Sequence, residues 1–125
     1  FAKDSSGNYF GASVRRTVFY TYTDNDLAYV YNYPNPFSGQ THFTFEIRGE
    51  HEPQEIAIRI FTIAGRLIKE LKLPSGNFSI GFNKILWDGK DQDGDPIANG
   101  LYLYKVLAKY DDKTITTTQK LVKME

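Results

Sequence analysis

Four aspartates in the stretch WDGKDQDGDP are the residues whose type and spacing come closest to a chemical site. Asp88, Asp91, Asp93 and Asp95 could together bind calcium, which prefers carboxylate oxygens. The EF-hand pattern requires glycine at its sixth position, but the sixth residue counted from Asp91 is Pro96. Asp-Gly turns in a solvated loop explain the cluster more simply. We therefore predict no metal or cofactor, with calcium as the alternative.

The other reactive side chains form no catalytic pattern. The two histidines, His42 and His51, fall on the polar face of a predicted strand and in a charged loop, and the chain contains no cysteine. The serines lie in or near turn sequences, without a nucleophile-elbow motif around any of them. A nucleophile and its base are therefore missing from the pattern, and we predict that these residues are not an enzyme.

Tyrosines recur at alternate positions in one predicted strand. Tyr29, Tyr31 and Tyr33 share one face of it, and Tyr20 and Tyr22 precede them. The preferred interpretation is that this face packs into the core or against a neighbouring domain. The alternatives are a protein interface, where aromatic residues are enriched, and a surface on which sugar rings stack.

The composition limits the classes of partner. Of the 125 residues, 41% are hydrophobic and 15% aromatic, which is enough to bury a core. Lysine plus arginine and aspartate plus glutamate each total 15, so the charge gives no reason to expect nucleic acid or an anionic membrane surface. No apolar run of about 18 residues occurs, so we predict no membrane span. We expect a monomer.

Apolar and polar residues alternate along most of the chain, which predicts half-buried β-strands. Turn sequences at Ala64-Gly65, at DDK and at Asn99-Gly100 predict hairpins between them. About seven strands counted from Tyr29 predict an all-β fold, an antiparallel β-sandwich of immunoglobulin-like (Ig-like) type, with a small barrel as the rival. The predicted core comprises Phe43, Phe45, Ile47, Ile56, Ile58, Ile60, Trp87, Tyr102, Tyr104 and Val106.

Two prolines stiffen the segment Tyr33-Pro34-Asn35-Pro36-Phe37, because each fixes its own φ and restricts the residue before it. The segment suits an edge strand that bends where a domain begins, with Phe37 inserted beneath the sandwich.

Residues 1–27 contain the strand pattern VRRTVFYTY and a linker, TDNDL. We assign residues 1–27 to the end of a preceding β-domain and residues 28–125 to the Ig-like domain, with the alternative that VRRTVFYTY is a first strand of the Ig-like domain. The opening FAKDSSGNYFG suggests a fragment of a longer protein.

Four stretches in order carry a family resemblance: YPNPF, IRIFTIAGRLIKEL, WDGKDQDGDPIANGLYLYKV and the final KLVKME. Their order and spacing over residues 31–125 resemble the C-terminal sorting domains of the type IX secretion system and the related Ig-like domain of flagellar hook-capping proteins. The aspartate-rich stretch is similar to the end of gingipain-like cysteine peptidases, including the sortase-type member.

The resemblance implies a role in delivery. Such domains are recognised in the periplasm by an outer-membrane translocon, which moves the attached protein to the cell surface. There the domain is often removed, and in the sortase-like members it stays attached. The implied partners are the translocon and the upstream domains of the same chain. The implied recognition residues are Gly100, Tyr102, Tyr104, Lys105, Lys120, Leu121, Val122 and Lys123.

Two other functions stay open at this point. One is a carbohydrate- or surface-binding accessory module, and the other is a structural Ig-like spacer within a secreted peptidase.

The terminal strand pattern bears on how a partner would recognise the domain. The run Thr114–Thr118 is β-branched and nearly uncharged, so as a terminal strand it could pair with another chain by β-augmentation. That pairing would give the translocon a means of holding the domain.

Overall fold

The computed structural model describes residues 25–125, and within this range the chain forms seven β-strands and no helix that could cross a membrane. The strands are β1 (Asp26–Tyr33), β2 (Thr41–Arg48), β3 (Glu55–Thr62), β4 (Leu67–Pro74), β5 (Gly81–Trp87), β6 (Gly100–Lys109) and β7 (Thr114–Lys123). They form a three-stranded sheet in the order β1-β2-β5 and a four-stranded sheet in the order β4-β3-β6-β7. The predicted all-β sandwich is confirmed, and two separate sheets replace the closed barrel that was its rival.

Each neighbouring pair in the larger sheet runs antiparallel, and β2 and β5 do so in the smaller one. The β3–β4 pairing shifts register between Ile60 and Phe61. In contrast, β6 and β7 pair without interruption from Gly100 and Lys123 at one end to Lys109 and Thr114 at the other. This long regular ladder places the last strand of the chain at one edge of the larger sheet.

The core lies between the inward faces of the two sheets, as the period-two pattern predicts. All ten predicted core residues are buried. Burial of side chains of this size contributes about 1.5–3 kcal/mol each. Phe37, placed beneath the sandwich by the sequence, is also buried and packs against Trp87 at a ring-centroid distance of 5.7 Å. The core also contains residues that the alternating pattern did not predict, among them Leu27, Val30, Ile68, Phe78, Ile97, Ala108 and Leu121.

Two of the three predicted hairpins are confirmed. In the β3–β4 turn, the Thr62 N–H donates to Arg66 O at 2.9 Å, and Gly65 takes a φ of 94°, which glycine adopts without steric cost. In the β6–β7 turn, the Tyr110 N–H donates to Lys113 O at 2.8 Å. Both turns join strands that are neighbours in the larger sheet.

The hairpin predicted at Asn99-Gly100 is wrong. Gly100 is the first residue of β6, and the strand before it, β5, belongs to the other sheet. The chain must therefore cross from one layer to the other, and a two-residue turn cannot do this. The crossing loop is held by Ile97, whose side chain is buried in the core.

The first described strand begins earlier than expected. β1 starts at Asp26 rather than near Tyr29, so the end of TDNDL is strand and not linker. The reason is apolar burial, because Leu27 lies in the core. The predicted strand VRRTVFYTY lies outside the described residues, and the domain boundary at residues 27 and 28 stays a prediction.

Candidate recognition site

The β6–β7 ladder brings the predicted recognition residues together. Its register pairs Gly100 with Lys123 and Leu103 with Lys120, so the two implied segments lie side by side at the end of the larger sheet. Their convergence follows from the antiparallel hairpin, since the start of β6 must face the end of β7. The structure thus gathers all eight residues into one region.

The proline-flanked segment closes the outer side of this region. Its Phe37 N–H donates to Val122 O at 3.0 Å, and Phe37 O accepts from the Met124 N–H at 2.9 Å. The side chain of Asn35 adds two bonds, with Oδ1 accepting from the Val122 N–H at 3.0 Å and Nδ2 donating to Lys120 O at 3.3 Å. We call this arrangement, residues 35–37 on residues 120–124, the clamp.

The clamp was not predicted from the sequence. The two prolines predicted the bend and the burial of Phe37, but no partner for Asn35 and no contact with the last strand. The local signal was an asparagine between two prolines, and nothing in the neighbouring sequence indicates its partners on β7.

A glycine allows the clamp to pack closely against the loop after β5. A Cβ on Gly89 would lie 2.8 Å from Gly39 O and 3.2 Å from the ring of Phe37. The same loop is fixed by the indole of Trp87, whose Nε1 donates to Lys90 O at 3.0 Å. The WDGK sequence is therefore a packing element beneath the clamp.

The eight predicted recognition residues differ in exposure. Tyr102, Tyr104, Leu121 and Lys123 are buried. Gly100 and Val122 are half-buried, whereas Lys105 and Lys120 are exposed. Half of the family pattern therefore stabilises the fold, and only the two exposed lysines present side chains that a partner could contact freely.

The two buried tyrosines differ in how their hydroxyls are satisfied. Tyr102 Oη donates to Ala98 O at 2.7 Å. Tyr104 Oη has no hydrogen-bond partner among residues 25–125, and its ring packs against Phe43 at a centroid distance of 4.8 Å. Burial raises the pKa of both hydroxyls, because desolvation disfavours the phenolate.

Lys123 is buried although lysine is usually a surface residue. Its Nζ donates to Ile97 O at 2.9 Å and lies 3.5 Å from Glu125 Oε2. A buried ammonium is tolerated only when it is paired and hydrogen-bonded in this way. Lys123 therefore joins the end of β7 to the loop before β6 and is not available as a surface charge.

The two exposed lysines lie on the same outward face of the larger sheet. Lys105 pairs with Thr118, and Lys120 is two residues further along β7, so the two side chains are diagonal neighbours. Lys105 Nζ also lies 5.4 Å from the centroid of the Phe61 ring. Together these lysines form a small basic surface beside the clamp.

The aspartate loop is built by its own backbone contacts. Asp91 Oδ1 accepts from the N–H groups of Asp93 and Asp95 at 3.0 Å, and Asp88 Oδ1 accepts from the Lys90 N–H at 3.1 Å. In the part of the chain that the structure describes, no group of three or more candidate ligands converges. These contacts are those of aspartates in turns.

This loop also covers the β4 edge of the larger sheet. The Gln92 N–H donates to Ile68 O at 2.9 Å, and Gln92 Oε1 accepts from the Glu70 N–H at 3.1 Å. A loop that satisfies an edge strand in this way protects it from pairing with other chains.

The tyrosine stripe does not pack into the core. Tyr29, Tyr31 and Tyr33 are 68%, 50% and 72% exposed, because the intervening Val30 and Asn32 turn inward. Core packing of this face was the wrong interpretation, while contact with a neighbouring domain stays a prediction. The earlier tyrosines of the stripe lie outside the described residues. A shallow groove beside the stripe is lined in part by His42, Phe82 and Lys84.

The model of the FlgD Ig-like domain family matches residues 32–112. The chain belongs to this family. The FlgD Ig-like domain is non-catalytic, which confirms the prediction that this chain is not an enzyme. The match spans the strands from the end of β1 to the β6–β7 turn, and so includes the proline-flanked segment and the crossing loop.

Solved structures share the FlgD Ig-like fold. PorU of Porphyromonas gingivalis, solved as a latent dimer, aligns with a TM-score of 0.69 at 22% identity over 81% of this chain and 9% of its own. FlgD of Xanthomonas campestris, described in relation to hook capping in flagellar assembly, aligns at 0.51 and 19% identity over 80% of this chain and 67% of its own.

A third structure is PorZ of P. gingivalis, described as an essential bacterial surface component of the type IX secretion system. It aligns with a TM-score of 0.49 at 21% identity over 77% of this chain and 11% of its own. The chain thus spans 9% and 11% of the PorU and PorZ chains. No curated protein sequence matches it.

Proposed function

We propose that this FlgD Ig-like domain is a sorting and anchoring module at the C-terminus of an exported protein, a gingipain-like peptidase. It directs that protein through the type IX secretion system to the cell surface. The observation that carries the proposal is the clamp. It joins YPNPF to the final KLVKME, two of the four stretches on which the family resemblance rests.

Recognition in this proposal is of a folded surface, and no bond is made or broken. Lys105 and Lys120 contact the translocon through their exposed ammonium groups. Tyr102, Tyr104 and Lys123 act indirectly, because they are buried and hold the ends of β6 and β7 in place. The predicted recognition residues would then include some that the translocon contacts and others that hold those residues in position.

The proposal also assigns a setting to the chain. The residues before β1 end a preceding β-domain, and the module that follows, proposed from the sequence as residues 28–125, also takes Leu27 of β1 into its core. The module travels through the periplasm with its upstream domains and reaches the cell surface or the medium. Its partners are those domains and the outer-membrane translocon.

The test is a pair of double variants in the natural parent protein, expressed in a host with a type IX system. Lys105→Gln with Lys120→Gln should lower the amount of protein at the surface at least tenfold. The matched control, Lys72→Gln with Lys84→Gln, removes two exposed lysines elsewhere and should be exported like the parent. Equal export of both double variants would contradict recognition through the two lysines.

A second candidate function rests on the exposed tyrosine stripe. Tyr29, Tyr31 and Tyr33 present rings that could stack on the sugars of a polysaccharide, which would make the chain a carbohydrate- or surface-binding module. Retention on a polysaccharide column that is lost in Tyr29→Ala with Tyr31→Ala would favour it. Passage of the parent chain through such columns without delay would rule out this second function.

A further inference from the structure

The outer edge of β7 carries backbone groups that face away from the sheet. The clamp bonds to Val122 N–H, Val122 O and Lys120 O, which shows that the even-numbered residues of β7 direct these groups outward. The β6–β7 register runs without a shift from Thr114 to Lys123. Because the direction alternates along a strand, the N–H and C=O groups of Thr116 and Thr118 also face outward. We call Thr114–Thr118 the open edge.

The backbone groups of the open edge are not covered by another segment, unlike those of the neighbouring edges. The clamp covers β7 from Lys120 onward, and Gln92 covers the β4 edge on the opposite side of the sheet. Within residues 25–125, no hydrogen bond reaches the outward groups of the open edge. The usual protections against pairing are a proline, a bulge or a lysine on the edge, and the sequence TITTT contains none of them.

Basic side chains surround the open edge on the outward face of the sheet. Lys105 and Lys109 pair with Thr118 and Thr114, and Lys120 follows on β7 itself. Lys109 Nζ lies 4.0 Å from Glu55 Oε2, whereas among the described residues Lys105 and Lys120 form no ion pair. Two further acids, Asp111 and Asp112, lie in the turn at the far end of the edge. The local field is therefore positive near Thr118.

We infer that the open edge binds an extended, acidic segment of the translocon by β-augmentation. The segment would add a strand to the larger sheet through alternate main-chain hydrogen bonds. Its carboxylates would lie beside Lys120 on β7, where cross-strand pairs of opposite charge are favourable, and Lys105 lies one strand further in, opposite Thr118. This inference names the chemistry of the secretion partner and rests on the proposed function for its biological setting.

Binding is tested with the 125-residue chain and two synthetic octapeptides, one with glutamate and valine alternating and one with lysine in place of glutamate. Backbone amide signals in an NMR titration should shift only in β7 and the facing part of β6. The glutamate peptide should bind at least tenfold more tightly than the lysine peptide. Shifts elsewhere, no shifts, or equal binding of the two peptides would overturn the inference.

Two threonine variants isolate the main-chain contribution. Thr116→Pro removes an outward N–H without removing a bond to β6, and it should abolish binding of the glutamate peptide. Thr116→Ala keeps that N–H and should bind like the parent. Equal binding by both variants would overturn the inference.

A lysine variant tests the charge contribution if the proline variant does not fold. Lys105→Gln with Lys120→Gln should bind the glutamate peptide no more tightly than the lysine peptide. An unchanged preference would contradict the assigned charge. Concentration-dependent shifts at the open edge without any peptide would assign it to a second copy and overturn the acidic partner.

Export of the same variants separates this inference from the proposed function. If the parent protein reaches the surface and Thr116→Pro does not, the result supports both the proposed sorting function and the binding of the translocon at the open edge. If the parent and a folded Thr116→Pro variant are exported equally, the translocon does not use the open edge and the inference falls alone. If the parent is not exported, the sorting role falls, and the peptide titration still decides whether the edge binds acidic strands.

Discussion

The side-chain amide of Asn35 bonds to the main chain of β7 on both sides of one residue. Its Oδ1 accepts from the Val122 N–H at 3.0 Å, and its Nδ2 donates to Lys120 O at 3.3 Å. The amide thus takes the place of a neighbouring strand where the sheet ends, and it satisfies groups that would otherwise be open to other chains. The position between two prolines keeps the backbone stiff enough to hold it there.

Removal of this amide should weaken the end of β7. Asn35→Ala should lower the free energy of unfolding by about 1–2 kcal/mol, since two hydrogen bonds to the backbone of β7 and one to the side chain of Asn32 are lost. Urea denaturation followed by tryptophan fluorescence measures the change. Asn77→Ala, at an exposed turn residue, is the matched control and should unfold like the parent. Equal midpoints for all three proteins would contradict the role of the clamp.

The two buried tyrosines should respond in opposite ways to loss of their hydroxyls. Tyr102→Phe should lower the free energy of unfolding by about 1 kcal/mol, because it removes the bond to Ala98 O. Tyr104→Phe should leave that free energy unchanged or raise it by up to about 1 kcal/mol, since the hydroxyl it removes is buried without a partner. Urea denaturation of both variants checks this, and a larger loss in Tyr104→Phe would contradict the assignment.

Stability should fall at alkaline pH through the same residues. Burial raises the pKa of Tyr102 and Tyr104 above the ordinary value of 10.0. The folded chain therefore keeps phenol protons that the unfolded chain loses, and the stability present below about pH 10 declines as the pH rises further. The free energy of unfolding measured between about pH 8 and 11 should decline less steeply in Tyr104→Phe than in the parent. Identical slopes would show that the buried hydroxyl does not contribute.

A single methyl group at Gly89 should disturb the packing beneath the clamp. The new Cβ would lie 2.8 Å from Gly39 O and 3.2 Å from the Phe37 ring, so Gly89→Ala combines a steric clash with an unfavourable φ of 75°. Gly94→Ala has a similar φ of 85° but no neighbour within 4 Å. Gly89→Ala should therefore have a melting temperature several degrees below that of Gly94→Ala, and equal melting temperatures would contradict the close packing.

Much of the fold follows from local pattern. The alternation in THFTFEI and EIAIRIFTI predicts both the strands and which of their faces is buried, because only one face of each strand packs between the sheets. The turns at Gly65 and DDK are predictable for the same reason, since they join strands that are neighbours in both sequence and sheet. Trp87 is predictable from its size and from its place at the end of an apolar run.

Other features depend on contacts that no local pattern contains. The crossing between sheets overrides the hairpin signal of Asn99-Gly100. Lys123 is buried only because Ile97 O and Glu125 are brought to its ammonium. The clamp joins residues 87 positions apart. The family resemblance named the region of the candidate site, but the division into buried and exposed residues required the structure.

The most direct test of the sorting role is transfer of the signal to an unrelated protein. Residues 1–125 are fused behind a signal peptide and a fluorescent reporter, and surface-accessible reporter is measured in two strains of a type IX host, with and without the translocon. The sorting role predicts reporter at the surface or in the medium of the first strain and in the periplasm of the second. Reporter trapped in the periplasm of both strains would contradict it.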